Sequence, residues 1–138
     1  MYLVRLVYVS SISDEFQPDD LGKILESAQK HNKRNHVTGL LGFNRKIFLQ
    51  CLEGSRAKVN ETYHRILQDP RHDRIIMLDY QEIAERKFDT WSMGFIPESS
   101  LTNTINIRFS GNDTFDPYDM SGESAHRLMA SLKDTLPL

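Results

Sequence analysis

Apolar and polar positions alternate along this chain in a way that predicts five strands and two long helices. Five short apolar runs end at polar or turn-forming residues, which is typical of strands. They are residues 2–9, 37–43, 47–53, 74–80 and 91–96. Two segments between them carry apolar side chains at helical spacing; one begins at Pro18, and the other runs from Arg56 to Gln68. Pro70 then prevents the second helix from continuing.

The order of these elements is strand, helix, strand, strand, helix, strand, followed by a fifth strand. This order predicts an α+β, ferredoxin-like βαββαβ fold with a fifth strand, in which both helices cover one face of the sheet. Residues 2–96 would form that unit, and residues 97–138 a C-terminal helical extension with a weak helix at 99–105 and a final helix from Ser121. We expect the extension to pack on the open sheet face, where it can also present a surface to a partner.

Composition narrows the classes of function. With 138 residues, a net charge of −2 and no basic stripe, the chain is poorly suited to bind nucleic acid. No stretch approaches the roughly 18–20 apolar residues that a membrane span needs. Cys51 is the only cysteine, which favours a cytoplasmic protein without internal disulfides. The histidines lack metal-ligand spacing and no nucleophile is paired with a base, so the sequence predicts neither a metal site nor an enzyme.

Gln50 is a lone amide in the middle of an apolar strand. Leaving a buried amide unpaired costs about 1–3 kcal/mol, so Gln50 needs a specific partner. Tyr8, near the end of the first apolar strand, is a candidate of the right kind. Such a pair can satisfy itself, or it can form a polar contact to a bound ligand.

The groove between the two helices, which we call the slot, is a natural ligand site in a fold of this kind. Alternation in the strands and spacing in the first helix direct Tyr8, Gln50 and Asn32 to its rim. Its apolar lining comes from Ile24, Phe48 and Ile66. Such a slot suits a heteroaromatic ring with hydrogen-bonding edges. Near the end of the second helix, donors suited to a phosphate at the slot mouth are Arg65, Arg71, His72 and Arg74.

Several of these segments together resemble the blue-light-sensing flavin domain called BLUF. The resemblance rests on VRLVYVS at 4–10, Asn32 with VTGLL at 37–41, FLQCLEG at 48–54, Val59, Tyr63, Arg65 and Ile66, DPRH at 69–72, and WSM at 91–93. They match in order and spacing and cover roughly residues 2–96. The remaining residues are similar to the helical extension of short BLUF proteins that carry no effector domain.

The resemblance implies non-covalent FAD, with its ring system between Ile24 and Ile66. Asn32 would bond the ring edge, and Gln50 would bridge Tyr8 and the flavin. The implied cofactor-binding set is Tyr8, Ile24, His31, Asn32, Phe48, Gln50, Arg65, Ile66, Asp69, Arg71 and His72.

The implied activity is that of a photoreceptor. Blue light would drive electron and proton transfer from Tyr8, and Gln50 would rearrange its hydrogen bonds by rotation or tautomerisation. Trp91 and Met93, two apart in the predicted last strand, would point to the same side and relay the change; which of them faces Gln50 stays open. The output would pass through that strand and the C-terminal helices to a separate regulator or effector protein, and the protein would self-associate.

Two other functions remain as alternatives. One is an FAD-dependent oxidoreductase of the same fold, although a second substrate pocket and a nicotinamide-binding motif are not apparent. The other is a light-insensitive, ferredoxin-like binding module. The presence of Tyr8, Gln50 and Met93 argues against the second, because loss of any one would have favoured it.

Overall fold

The computed structural model describes residues 2–136, which form a five-stranded sheet with long helices on one face. The strands are β1 (Leu3–Ile12), β2 (Thr38–Phe43), β3 (Ile47–Ser55), β4 (His72–Ile83) and β5 (Gly94–Ile96). The helices are α1 (Asp20–Asn35), α2 (Arg56–Leu67), α3 (Asn103–Phe109) and α4 (Gly122–Leu132). Within the described part of the chain, no helix is both long and apolar enough to cross a membrane.

The strands lie in the order β4-β1-β3-β2-β5. The first four are joined by antiparallel pairs, and β5 runs parallel to β2 at the edge. The predicted ferredoxin-like fold is therefore confirmed. In this order β1 and β3 lie side by side at the centre of the sheet, which brings the first and third apolar runs of the sequence together.

The first helix begins two residues later than predicted. Pro18 lies in a turn that is closed by a hydrogen bond from the Asp20 backbone N–H to the Gln17 carbonyl oxygen. The Asp20 carboxylate in turn accepts from the Gln17 backbone N–H at 2.8 Å. This local turn satisfies the backbone before the helix and sets its first residue at Asp20.

Two apolar clusters pack on opposite faces of the sheet. One joins the helix-facing side chains of β1 and β3 with Val59 and Tyr63 of α2 and the stripe of α1. The other joins side chains from the opposite face, among them Cys51, with Leu128 and Met129 of α4. The expected packing of the C-terminal extension on the open sheet face is thus confirmed, whereas its separation from residues 2–96 as a domain stays a prediction.

The third helix begins at Asn103, four residues after the predicted start of the weak helix at 99. Residues 98–100 form a 3-10 turn instead, and the Thr102 hydroxyl caps the helix by accepting from the Ile105 backbone N–H. A cap of this kind places the helix start where the hydroxyl is, since it satisfies one of the free N–H groups of the first turn.

The last strand is shorter than predicted. It begins at Gly94, and residues 91–93 precede it in a turn where the Trp91 backbone N–H donates to the Phe88 carbonyl oxygen. Because these residues are not extended, the two-residue alternation of a strand does not apply to them. Met93 joins the helix-side cluster, while Trp91 packs against the cluster under α4. The expectation that both side chains point to the same side is therefore wrong.

Candidate functional site

A cavity of about 210 Å³ lies in the slot between α1 and α2, over the centre of the sheet. Every side chain of the predicted cofactor-binding set lines it, together with Ser27, Ala28, Leu41 and Thr62. The roles of the lining residues stay predictions. Arg74 is not among them: it lies within a bulge of β4, between Asp73 and Ile76, has a positive φ of 48° and stacks over the ring of Tyr118 instead. Its predicted place at the slot mouth is wrong.

Tyr8 and Gln50 form a buried polar pair at the floor of the cavity. They are register partners on β1 and β3, and the Tyr8 hydroxyl donates to the Gln50 side-chain carbonyl oxygen. The Gln50 amide nitrogen donates to the sulfur of Met93 at 3.4 Å. The side chain that meets Gln50 is therefore Met93, which answers the question that the sequence left open. Both ends of the amide have a partner, as burial requires.

Burial also controls the protonation of Tyr8. The side chain is 1% exposed, and desolvation raises the pKa of its phenol far above the ordinary value of 10.0, with smaller contributions from Tyr63 and Asp69. The phenol thus keeps its proton at any physiological pH, and the Gln50 carbonyl oxygen is the acceptor in contact with that proton.

Two amide side chains of α1 hold the turn that carries Met93. The Asn32 nitrogen donates to the Ser92 carbonyl oxygen at 2.8 Å, and the Gln29 nitrogen to that of Met93 at 3.1 Å. Asn32 is also part of the cavity lining and is 1% exposed. One N–H of its side chain is engaged by Ser92, which leaves the second N–H to donate to a ligand and the side-chain oxygen to accept from one.

His72 lies inside the slot and not at its mouth. Its Nδ1 is 2.8 Å from the hydroxyl of Ser10, and its ring centre is 4.8 Å from that of Phe48. Desolvation lowers the pKa of His72, and the charge of Arg71 adds to this, while Asp69 opposes it. A neutral imidazole at this position serves as a wall of the cavity better than as a cationic phosphate ligand.

Arg71 is engaged by carboxylates at one end of the slot. Its guanidinium bonds Asp69 with two nitrogens, at 2.9 and 2.8 Å, and lies 3.7 Å from Asp20 at the start of α1. Burial pushes the pKa of Asp69 upward, but the hydrogen bonds and charge of Arg71 outweigh it and hold that pKa below the ordinary value. This cluster connects the α2–β4 turn to α1 across the slot.

Arg65, a cation, and His31, an imidazole, are lining side chains that this cluster does not engage. They approach each other from α2 and α1, and the Arg65 guanidinium lowers the pKa of His31, with help from desolvation and from Arg34 and Lys30. Positive charge therefore accumulates at this edge of the slot. No group of three side chains able to hold a metal ion occurs within residues 2–136.

Some lining residues were missed by sequence reasoning although a signal was present. Leu41 is the register partner of Gln50 in the β2–β3 hairpin, and this pairing follows from the turn that pairs Phe43 with Phe48. Ser27 lies one turn before His31 on the same side of α1. The bond between Ser10 and His72, by contrast, joins residues 62 apart and has no local signal.

Comparison with known proteins decides the family. The sequence profile of one family, described as sensors of blue-light using FAD, matches residues 3–94. The chain belongs to the BLUF family. Among BLUF relatives, the blue light- and temperature-regulated antirepressor BluF of Escherichia coli is 36% identical over 86 residues, which make up 62% of this chain and 21% of that protein.

Two further relatives differ in how much of their length is matched. Photoactivated adenylate cyclase subunit beta of Euglena gracilis is 31% identical over 142 aligned positions, covering 92% of this chain and 16% of the cyclase. The chain thus spans only 16–21% of the length of these curated BLUF relatives. The solved structure of BlsA in its photo-activated state, by contrast, is matched over 95% of this chain and 94% of BlsA, with a TM-score of 0.86 and 30% identity.

Proposed function

We propose that this protein is a blue-light receptor that binds FAD non-covalently in the slot and responds to light through Tyr8 and Gln50. The observation that carries the proposal is the buried chain of contacts from the Tyr8 hydroxyl to the Gln50 amide to the Met93 sulfur, on the floor of the cavity. The family description supports a flavin of the FAD type.

The lining suits a flavin in its chemistry. Ile24 and Ile66 offer apolar walls from the two helices, and the amides of Asn32 and Gln50 offer the donors and acceptors that a ring edge needs. Arg65 is a cation at the same site that can pair with a phosphate. The bound flavin would supply blue-light absorption and an electron acceptor.

Tyr8 would act as the electron and proton source. A phenol whose pKa is raised by burial does not ionise by itself, so it gives up an electron and its proton together. The proton already lies in a hydrogen bond to the Gln50 oxygen. That bond gives the proton a defined path and requires no water.

Gln50 would then exchange its partners. An amide has an acceptor end and a donor end, and rotation or tautomerisation redistributes them within the same cavity. Its present donor contact is to a thioether, which is a weak acceptor, so giving up that contact costs little. In a site this buried each arrangement must be fully paired, which favours two discrete states over a continuum.

The change at Gln50 would pass to Met93 and from there to β5 and the C-terminal helices, which we propose as the surface for a separate downstream protein. The name of the E. coli relative describes an antirepressor, which fits an output through a protein partner. We further propose that the receptor self-associates and that it acts in the cytoplasm. In this proposal it is a signalling protein and not an enzyme.

The test is the absorption spectrum of the FAD-loaded protein in darkness, under blue light and during recovery. We expect a small, thermally reversible red shift that is lost in Tyr8→Phe. Tyr63→Phe is the matched control, because Tyr63 is also buried and its ring centre lies 5.7 Å from that of Tyr8. A shift that survives in Tyr8→Phe contradicts the mechanism. Flavin that bleaches by net reduction favours an oxidoreductase, and failure to bind FAD favours a light-insensitive module.

A further inference from the structure

Glu53 is a fully buried carboxylate on β3, on the sheet face opposite Gln50. Its exposed fraction is 0%. One carboxylate oxygen accepts from the Lys87 backbone N–H at 2.7 Å, and the other accepts from the Phe88 backbone N–H at 3.0 Å and from the Thr38 hydroxyl at 3.0 Å. These bonds are charge-assisted, and such bonds are among the stronger ones in proteins. The two bonds from Lys87 and Phe88 join β3 to a segment more than thirty residues away in sequence.

Arg86 supports the same attachment from the surface of the protein. One guanidinium nitrogen of Arg86 donates to the Thr38 hydroxyl at 3.0 Å and to the Glu53 backbone oxygen at 3.3 Å. Arg86, Lys87 and Phe88 are therefore all bonded to the Thr38–Glu53 pair. Thr38 and Glu53 are themselves register partners on β2 and β3, so the attachment point belongs to the rigid sheet.

From Phe88 the chain is held step by step as far as Met93. The Phe88 carbonyl oxygen accepts from the Trp91 backbone N–H at 3.2 Å. The Trp91 carbonyl oxygen accepts from the Gly39 backbone N–H at 3.1 Å, again on β2. We call residues 86–93 the connecting segment. Its start is bonded to Glu53, and at its end the Met93 sulfur contacts Gln50. Gln50 and Glu53 both lie on β3, and at the Met93 end the backbone is also held by Asn32 and Gln29 of α1.

We propose that Glu53 is a positioning residue, whose buried carboxylate fixes the start of the connecting segment and thereby keeps Met93 against Gln50. The part of this inference that concerns light rests on the proposed function. Weakening the attachment would loosen the connecting segment, so the Met93 side chain would restrict the Gln50 amide less, although the Met93 backbone stays bonded to Gln29. The barrier between the two amide arrangements would fall, and the dark state would return sooner after illumination.

The variant that tests this is Glu53→Gln, which keeps the shape of the side chain. Its amide nitrogen is a donor and cannot accept from a backbone N–H, so one of the bonds to Lys87 or Phe88 is lost. Lys87→Ala is the matched control, because Lys87 contributes its backbone N–H and not its side chain to the carboxylate. Arg86→Ala weakens the same attachment from the surface, and it decides the question if Glu53→Gln does not fold.

Two measurements are needed. The first is amide hydrogen exchange in darkness on the protein with and without FAD, which requires no photochemistry. We expect exchange across residues 87–93 to be at least tenfold faster in Glu53→Gln than in the wild type, with exchange in β1 unchanged and Lys87→Ala like the wild type. The second is the recovery time after blue light, which we expect to be at least threefold shorter in Glu53→Gln, with a smaller change in the same direction for Arg86→Ala.

The possible outcomes separate this inference from the proposed function. Unchanged exchange in the connecting segment overturns the inference. So does faster exchange combined with an unaltered or longer recovery time, because Glu53 would then be structural only. If the wild-type protein shows no reversible red shift, the proposed function fails by itself, and the exchange experiment still decides whether Glu53 holds the connecting segment.

Discussion

Tyr8 and Gln50 lie directly opposite each other on the two central strands, and the Tyr8 hydroxyl donates to the Gln50 carbonyl oxygen. Their positions follow from the sheet order, because β1 and β3 are neighbours although 42 residues separate the pair. Since both side chains are buried, each depends on the other for its hydrogen bond. This mutual dependence can be measured in addition to the light response.

Gln50→Leu should abolish the reversible red shift and destabilise the protein. The Tyr8 hydroxyl would lose its acceptor in a buried site, which costs about 1–3 kcal/mol. Adding Tyr8→Phe removes the unpaired hydroxyl, so the double variant should be less destabilised than the sum of the two single variants. Urea unfolding of the four proteins checks this. Simple additivity would show that the pair does not contribute as a unit.

The fold and most of the slot could be predicted because their signals are local. Strand alternation placed Gln50 on one face of β3, and helical spacing placed Ile24 and Asn32 on one side of α1. Where the backbone leaves regular structure, the same reasoning failed. Trp91 lies before β5 in a turn, so strand alternation assigned its side chain to the wrong side.

Contacts between residues far apart in sequence could not be predicted either. Arg71 looked like a phosphate ligand because a basic side chain after a helix suits that role. One carboxylate that engages it, Asp69, lies only two residues away, but the other is Asp20, the first residue of α1. Only the packing of the two helices brings Asp20 there. The charge that a ligand would meet therefore depends on three-dimensional neighbours.

Arg65 should contribute more to FAD affinity than Arg71 does. Arg65 lines the cavity and has no carboxylate partner within residues 2–136, whereas Arg71 is neutralised by Asp69 and Asp20. We expect Arg65→Ala to raise the Kd for FAD about tenfold, or about 1.4 kcal/mol, and Arg71→Ala to raise it less than threefold. Titration of the apoprotein with FAD, followed by flavin fluorescence, measures both. A larger effect of Arg71→Ala would mean that this arginine leaves its carboxylates for the ligand.

His126 should make the stability of the protein depend on pH. Its imidazole is 9% exposed on α4, and desolvation lowers its pKa from 6.5 to about 4; Arg5, Lys87 and Arg127 act in the same direction, and Asp79 opposes them. Between these values the unfolded chain binds more protons than the folded one, so stability falls as the pH falls from 6.5 to about 4. At 1.36 kcal/mol per pH unit the full shift corresponds to about 3 kcal/mol, and solvent screening of the partly desolvated imidazole makes the expected loss smaller than this.

The matched measurement is urea unfolding of the wild type and of His126→Gln at pH 7 and pH 4.5. Carboxylates that titrate in this range are common to both proteins, so the difference between the two pH dependences isolates His126. We expect the variant to lose less stability than the wild type on acidification. An equal loss in both proteins would show that His126 does not titrate differently on folding.

Gly122, the first residue of α4, should be required for close packing of that helix on β4. A Cβ atom at this position would overlap the Leu78 carbonyl oxygen and lie 2.7 Å from the Cβ atom of Asp79, so even an alanine cannot be accommodated without a shift. Gly111 is the matched control, because a Cβ atom there meets nothing within 4 Å.

The sole cysteine reports on this packing. Cys51 is 0% exposed, belongs to the same apolar cluster as Leu128 and Met129 of α4, and has a pKa raised well above the ordinary value, chiefly by desolvation. It should be inert to a thiol reagent in the wild type and in Gly111→Ala, and should react at least tenfold faster in Gly122→Ala. Equal rates in the two variants would show that α4 tolerates the added methyl group.

If the C-terminal helices carry the output, blue light should also accelerate labelling of Cys51 in the FAD-loaded wild type, because movement of α4 would uncover this residue. The same labelling rate in light and in darkness would show that the output surface lies elsewhere on the molecule.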